Sequence, residues 1–224
     1  MKVYYVGGST ADVLGTFMMI ENSSLPFVME IPGFQGYLTP RYQPYEKDWR
    51  ETTVFDYNPQ DIKNISIKYF HDPSQSFSID LSGNQIKIFS PETNRVIQHV
   101  DSVGLINYLS YFKYLNFEGW DKDFTDQQRD SLKTTIPLST VTVTDVAGKT
   151  VSMTTFPKPV TKSSLAQTDP QGKPAQYDMD RQYAFINNGN DFVTIQHYTF
   201  AKIFRQLDDF DLDKQKTMEK SGKK

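Results

Sequence analysis

Residues 16–38, TFMMIENSSLPFVMEIPGFQGYL, return in altered form as residues 182–204, QYAFINNGNDFVTIQHYTFAKIF. Phe17 aligns with Tyr183, Ile20 with Ile186 and Asn22 with Asn188. After a one-residue slip in the turn, Phe27 aligns with Phe192 and Val28 with Val193; Phe34, Tyr37 and Leu38 then meet Phe200, Ile203 and Phe204. In the first copy, apolar residues at 16–20 and 27–31 flank the turn formers Asn22, Ser23 and Ser24, which predicts two paired strands. Phe34, Tyr37, Leu38 and Tyr42 are spaced by three and four residues, which predicts a short closing helix despite Pro40.

Only a strand, Lys2–Val6, and a turn at Gly7-Gly8-Ser9-Thr10 precede the first copy. The second has a long lead-in. Ile62, Ile65, Ile67 and Tyr69 predict a strand. Phe77, Ile79 and Leu81 alternate, Ser82-Gly83-Asn84 turns, and Ile86 and Ile88 alternate back as a hairpin. Val103, Ile106, Tyr108, Leu109, Phe112 and Leu115 predict a helix over 100–117, with Asp101 or Ser102 to accept its orphan N–H bonds. Thr125 and Gln128 stand in capping-box register for a second helix over 125–133. The run Thr140-Val141-Thr142-Val143-Thr144, the turn Val146-Ala147-Gly148 and residues 150–156 form a second hairpin. Residues 157–180, rich in Pro, Ser, Gly, Gln and Asp, read as a long surface loop. A closing helix over 199–207 follows the second copy, and Asp208–Asp213 with the Lys-rich 214–224 reads as a frayed end.

The fold class is therefore α+β: antiparallel β-sheets with a few helices packed on one face, in tandem repeated β-rich units of which the first is incomplete. Residues 1–45 form the C-terminal half of a first unit, 46–60 a connector with Pro59, 61–210 a complete second unit and 211–224 a disordered tail. In this alignment Lys2–Val6 occupies the place of residues 149–153, the returning strand of a hairpin whose outgoing strand has no counterpart. The chain is expected to be a fragment, or to have the first half of that unit supplied by another copy or another chain.

Several stretches together resemble a known family: Tyr4-Tyr5-Val6-Gly7-Gly8, Gly15-Thr16-Phe17, Ile31-Pro32-Gly33-Phe34, Gly36-Tyr37-Leu38, Asp48-Trp49-Arg50 and Asn116-Phe117-Glu118-Gly119. In order and spacing, over about residues 2–210, they look like bacterial proteins catalogued as domain of unknown function 4340 (DUF4340). The resemblance implies an N-terminal membrane anchor and a first β-rich stretch before the point matching Met1, and so a parent protein facing the periplasmic side of the cell envelope. It carries no catalytic residues over. It places Trp49 and Arg50 at the junction between units, Trp as an anchor and Arg as the partner of a carboxylate or ring.

Composition narrows the chemistry. With 16 Phe and 13 Tyr, large rings compensate for an apolar content of only 38% in filling a core. A net charge of −3 offers no general attraction to nucleic acid. There is no Cys, so thiolate metal sites, disulfides and thiol nucleophiles are excluded. No apolar run is long enough to span a membrane, so a soluble chain is expected.

No catalytic, cofactor-binding or metal set assembles. His71, His99 and His197 lack partners at ligand spacing and read as surface or strand-end residues. Asp209, Asp211 and Asp213 resemble the start of a calcium loop, but its central Gly and closing Glu are missing. Gly7-Gly8-Ser9-Thr10 is followed by too short a segment to open a phosphate-binding helix. Asp121 and Asp123 flank Trp120, yet neighbours on one loop do not oppose each other across a sugar. The functional expectation is a non-enzymatic scaffold or protein-interaction module of the bacterial cell envelope, with partner binding or self-association through the Lys2–Val6 edge strand. The alternative is a small-molecule or glycan binding module using exposed aromatic residues.

Overall fold

Short strands that are apolar on both faces shape the first unit. β1 (Tyr4–Ser9), β2 (Thr16–Ile20) and β3 (Phe27–Met29) form an antiparallel sheet in that order. This computed structural model describes residues 2–42, 49–83, 85–121, 124–162, 164–169 and 171–215, which fall into units 1–51 and 52–224. The expected turn at Gly7-Gly8 is instead strand: β1 runs through both glycines, and the register shifts between Val6 and Ser9 as a bulge. The turn comes later, where Asp12 accepts from the Thr10 hydroxyl and the Leu14 N–H. A side chain at Gly15 would place its Cβ 2.5 Å from Val28 Cγ1, so close packing of the chain requires glycine there.

The helix expected over Phe34–Tyr42 does not form. Gly33 and Gly36 take positive φ, and only a 3-10 turn, Thr39–Arg41, remains around Pro40. That segment is tied to the sheet: the Leu38 N–H donates to the buried Thr16 hydroxyl, and the Thr39 hydroxyl donates to the Gly7 carbonyl at 2.7 Å.

The second unit contains β4 (Thr53–Phe55), β5 (Ile62–Tyr69), β6 (Phe77–Asp80), β7 (Lys87–Phe89), α1 (Ser102–Ser110), β8 (Leu115–Asn116) and β9 (Gly119–Trp120). It continues with α2 (Asp126–Lys133), β10 (Ser139–Asp145), β11 (Thr150–Pro159), β12 (Tyr177–Ile186), β13 (Asp191–Gln196) and α3 (His197–Phe200). Eight strands form one antiparallel sheet, β7-β6-β5-β10-β11-β12-β13-β9, and β4 pairs with β8. Thr53–Phe55, within the expected connector, is thus a strand of this unit; residues 46–48 of that connector lie outside the described residues. α1 begins where Asp101 accepts the Gly104 N–H at 3.0 Å. It stops at Ser110 rather than near 117, because Tyr114 turns the chain through φ 52° and Leu115 enters β8. α2 carries the expected Thr125–Gln128 capping box.

Both faces of β11–β13 are covered. On one, Ala184, Ile186, Val193 and Ile195 join a core with Phe55, Phe77, Tyr108, Phe112 and Phe210. On the other, Phe156, Tyr183, Phe185 and Phe192 pack against Phe124 and Leu132 of the α2 segment. The region expected as a frayed end is anchored up to the last described residue. Arg95 pairs with Asp208 and Asp211, Lys214 Nζ lies 2.6 Å from Asp208, and the Leu212 N–H donates to the His99 carbonyl. The remainder of the expected tail, 216–224, lies outside the described residues. The loop expected over 157–180 is shortened at both ends, since β11 reaches Pro159 and β12 starts at Tyr177.

Candidate functional site

The two copies can be compared through strand pairing. Met18 pairs with Phe27 and Phe17 with Val28; Ala184 pairs with Val193 and Tyr183 with Thr194. With Phe17 equivalent to Tyr183, Phe27 therefore stands in the place of Val193, not Phe192. The one-residue slip of the sequence alignment disappears because both turns are closed in the same register. β1 pairs Tyr5 with Met19 and Val6 with Met18, whereas β11 pairs Thr154 with Phe185 and Thr155 with Ala184. Val6 is thus the counterpart of Thr155, two residues beyond the sequence alignment with Met153.

The surroundings of the two copies differ. In the second unit, β10 zips onto the outer edge of β11 from Ser139–Thr155 to Thr144–Thr150, with hydroxyl pairs Thr140–Thr154 at 3.0 Å and Thr142–Ser152 at 3.2 Å. Above Tyr183 and Phe185, α2 contributes Leu132 and holds Lys133 Nζ 5.1 Å over Phe185 and Arg129 6.0 Å over Phe192. Among the described residues, nothing pairs with the outer edge of β1. The Glu21 N–H donates to the Val3 carbonyl, so the antiparallel alternation directs the N–H and C=O of Tyr4 and Val6 away from β2. Thr155 presents its carbonyl to Leu138 with the same parity.

The face of β1–β3 carrying Tyr5, Phe17 and Val28 is 43–53% exposed at those residues, although its counterpart holds the buried Tyr183 and Phe185. On the opposite face, Tyr4, Met18, Ile20, Phe27, Met29 and Tyr42 line a groove of about 310 Å³. Tyr42 meets Tyr4 edge-on at 6.2 Å and Trp49 in a tilted pair at 6.2 Å, so Trp49 is the outer ring of a three-ring ladder. Trp49 and Arg50 are both exposed. The sequence pointed to this unit through Trp49 and through the Lys2–Val6 strand that holds Tyr4; the uncovered face was missed, although the apolar residues on both sides of β2 and β3 were its signal.

The other sequence candidates are occupied structurally. Burial pushes the Asp208 carboxyl up, but hydrogen bonds from Lys214 and Arg95 outweigh it and hold the group below its ordinary range. Asp213 Oδ2 lies 2.8 Å from His99 Nδ1. Asp121 lies 3.7 Å from Lys158 Nζ, with both side chains nearly buried; Asp123 is outside the described residues. Among the described residues no group of three His, Asp or Glu side chains is placed to hold a metal ion. His71 and His197 share a cleft of about 340 Å³ with Tyr69, Leu138 and Phe204, together with Gln75 and Gln182, whose buried Oε1 atoms have no hydrogen-bond partner. Burial, with the Asp209 charge added, pushes the Tyr69 phenol far up, and its hydroxyl donates to the Arg205 carbonyl.

No family model matches the chain, no curated protein matches its sequence, and no solved structure matches its fold.

Proposed function

We propose that the chain is a non-enzymatic scaffold or protein-interaction module of the bacterial cell envelope, acting through its first unit. One observation carries the reading: among the described residues β1–β3 have an unpaired outer edge and a half-exposed apolar face, whereas the same strands of the second copy are zipped and covered. Main-chain pairing to an exposed edge gives affinity, and adjacent apolar side chains give selectivity. The envelope location and an anchored parent protein rest on the resemblance to DUF4340. The test is photo-crosslinking in bacterial envelopes with the crosslinker at position 6 of the chain, and at position 141 as the control. Reproducible adducts at position 6 and none at the buried Val141 are expected; no reproducible adduct at position 6 would refute the reading.

A small-molecule or glycan binding role is favoured by a separate feature, the unpartnered Gln75 and Gln182 oxygens in the second-unit cleft. These would accept bonds from hydroxyl or amide donors. A thermal-shift screen with monosaccharides and amides, repeated on Gln182→Leu, tests it. A ligand shift lost in the variant is expected, and no shift with any compound would remove this second reading.

A further inference from the structure

We propose that the first unit is covered by a polypeptide helix–strand element: a short basic amphipathic helix laid on Tyr5, Phe17 and Val28, followed by a strand that pairs antiparallel with the outer edge of β1. This rests on the interaction-module reading and specifies the partner. The template lies in the same chain, where α2 and β10 cover the equivalent face and edge of β11–β13.

Three observations fix the chemistry. First, edge parity: Val6 corresponds to Thr155, whose neighbour on β10 is Ser139, and both direct backbone groups outward. A partner strand therefore enters in the register of β10, and the bulge after Val6 limits how far it runs. Second, charge: residues 2–31 carry Asp12, Glu21 and Glu30 against Lys2 alone. The template helix places the cations Arg129 and Lys133 over the rings. A helix bearing Lys or Arg at those positions meets the carboxylates, of which Glu21 and Glu30 follow Met19 and Val28 by two residues; Met19 and Pro26 stand where the template has Phe185 and Phe192, so charge and not ring contact selects the cations. Third, area: Tyr5, Phe17 and Val28, about half exposed, offer on the order of 200–300 Å² of apolar surface. That is well short of the roughly 800 Å² per partner of a stable interface. The helix alone is insufficient, and the strand must supply the rest.

The probe is a synthetic peptide spanning residues 125–146, titrated against the intact chain by fluorescence anisotropy. A matched peptide carries Arg129→Glu and Lys133→Glu, and a matched chain carries Val6→Pro, which removes an outward N–H while leaving the β1–β2 bonds in place. Saturable binding is expected, at least tenfold weaker with either change. Equal binding of the charge-reversed peptide would overturn the basic helix, and binding unaffected by Val6→Pro would overturn the strand. Uptake onto phosphatidylglycerol vesicles that is indifferent to Val6→Pro would substitute a lipid surface for the polypeptide and overturn the proposal. Failure of every peptide overturns it as well. In that case, adducts at position 6 in envelopes would leave the interaction module standing with a different partner class, and their absence would remove both.

Discussion

Replacing Arg95 with methionine tests the physical account of residues 207–215. Arg95 bridges Asp208 and Asp211, the latter at 2.6 Å, and its side chain is 35% exposed against 23% and 15% for the two carboxylates. Losing one partner of a fully buried pair costs about 3–5 kcal/mol. An exposed pair is worth about 0–1 kcal/mol. Discounted for solvent screening, the intermediate burial here leads to a loss of about 2 kcal/mol, since Lys214 still neutralises Asp208 while Asp211 is left without its guanidinium. For a unit of this size that is roughly 4–8 °C in Tm. The loss also depends on pH. The Asp208 carboxyl is depressed in the fold, so its contribution is complete above its ordinary value and disappears as pH falls through the lower folded value. The wild-type advantage is therefore present at neutral pH and shrinks below about pH 4. Urea unfolding followed by circular dichroism across that range measures it. A variant as stable as wild type at neutral pH, or a difference that does not shrink in acid, would refute the reasoning.

Thr125→Ala removes the side-chain half of the α2 capping box and is expected to destabilise by about 1 kcal/mol, read by thermal melting. Gly104→Ala would ordinarily stabilise a helix by about 1 kcal/mol, but here the new Cβ lies 2.2 Å from Oδ2 of Asp101, the residue whose Oδ1 caps α1. The expected sign is reversed, and a higher Tm would show that the cap yields without cost. Tyr5→Pro deletes an N–H directed at β2, whereas Val6→Pro deletes one directed outward. Hydrogen exchange should therefore show lost protection in β2 for the first variant and protection retained for the second, with equal effects counting against the assigned edge.

Local chemistry was legible. The alternation of Ile65, Ile67, Val141 and Val143 gave strands whose apolar side chains are buried, and Thr125 with Gln128 gave a helix start. What misled were long-range ties that periodicity does not encode. Phe34–Tyr42 has helical spacing, yet Thr16 and Gly7 capture Leu38 and Thr39 from strands far away in sequence. The acidic run at 208–213 resembled a loose end because its cation, Arg95, lies more than a hundred residues earlier. The candidate site was half legible: Lys2–Val6 and Trp49 were singled out, but the exposed face became visible only when pairing registers showed which residues of the second copy are covered. Matching Phe27 to Phe192 had obscured this, because a one-residue slip exchanges the two faces of a strand.

The first unit is unlike an ordinary water-facing sheet. A sheet with one solvated face alternates apolar and polar residues. β2 and β3 instead put Phe17, Met19 and Val28 on one side and Met18, Ile20, Phe27 and Met29 on the other. Natural edge strands carry Lys or Pro to prevent pairing, but the outward-directed residues here are Tyr4 and Val6. Where the second copy has the compact Ala184, Val193 and Ile195, the first has Met18, Phe27 and Met29. Methionine adapts its shape to different neighbours and is over-used at binding surfaces. The Gly7-Gly8 bulge is the opposing feature: it ends regular pairing after Val6, so the edge admits a short strand in one register and does not template an indefinite sheet. Apolar residues on both faces, a short edge and adaptable side chains together favour a surface built to be covered over one built to face water.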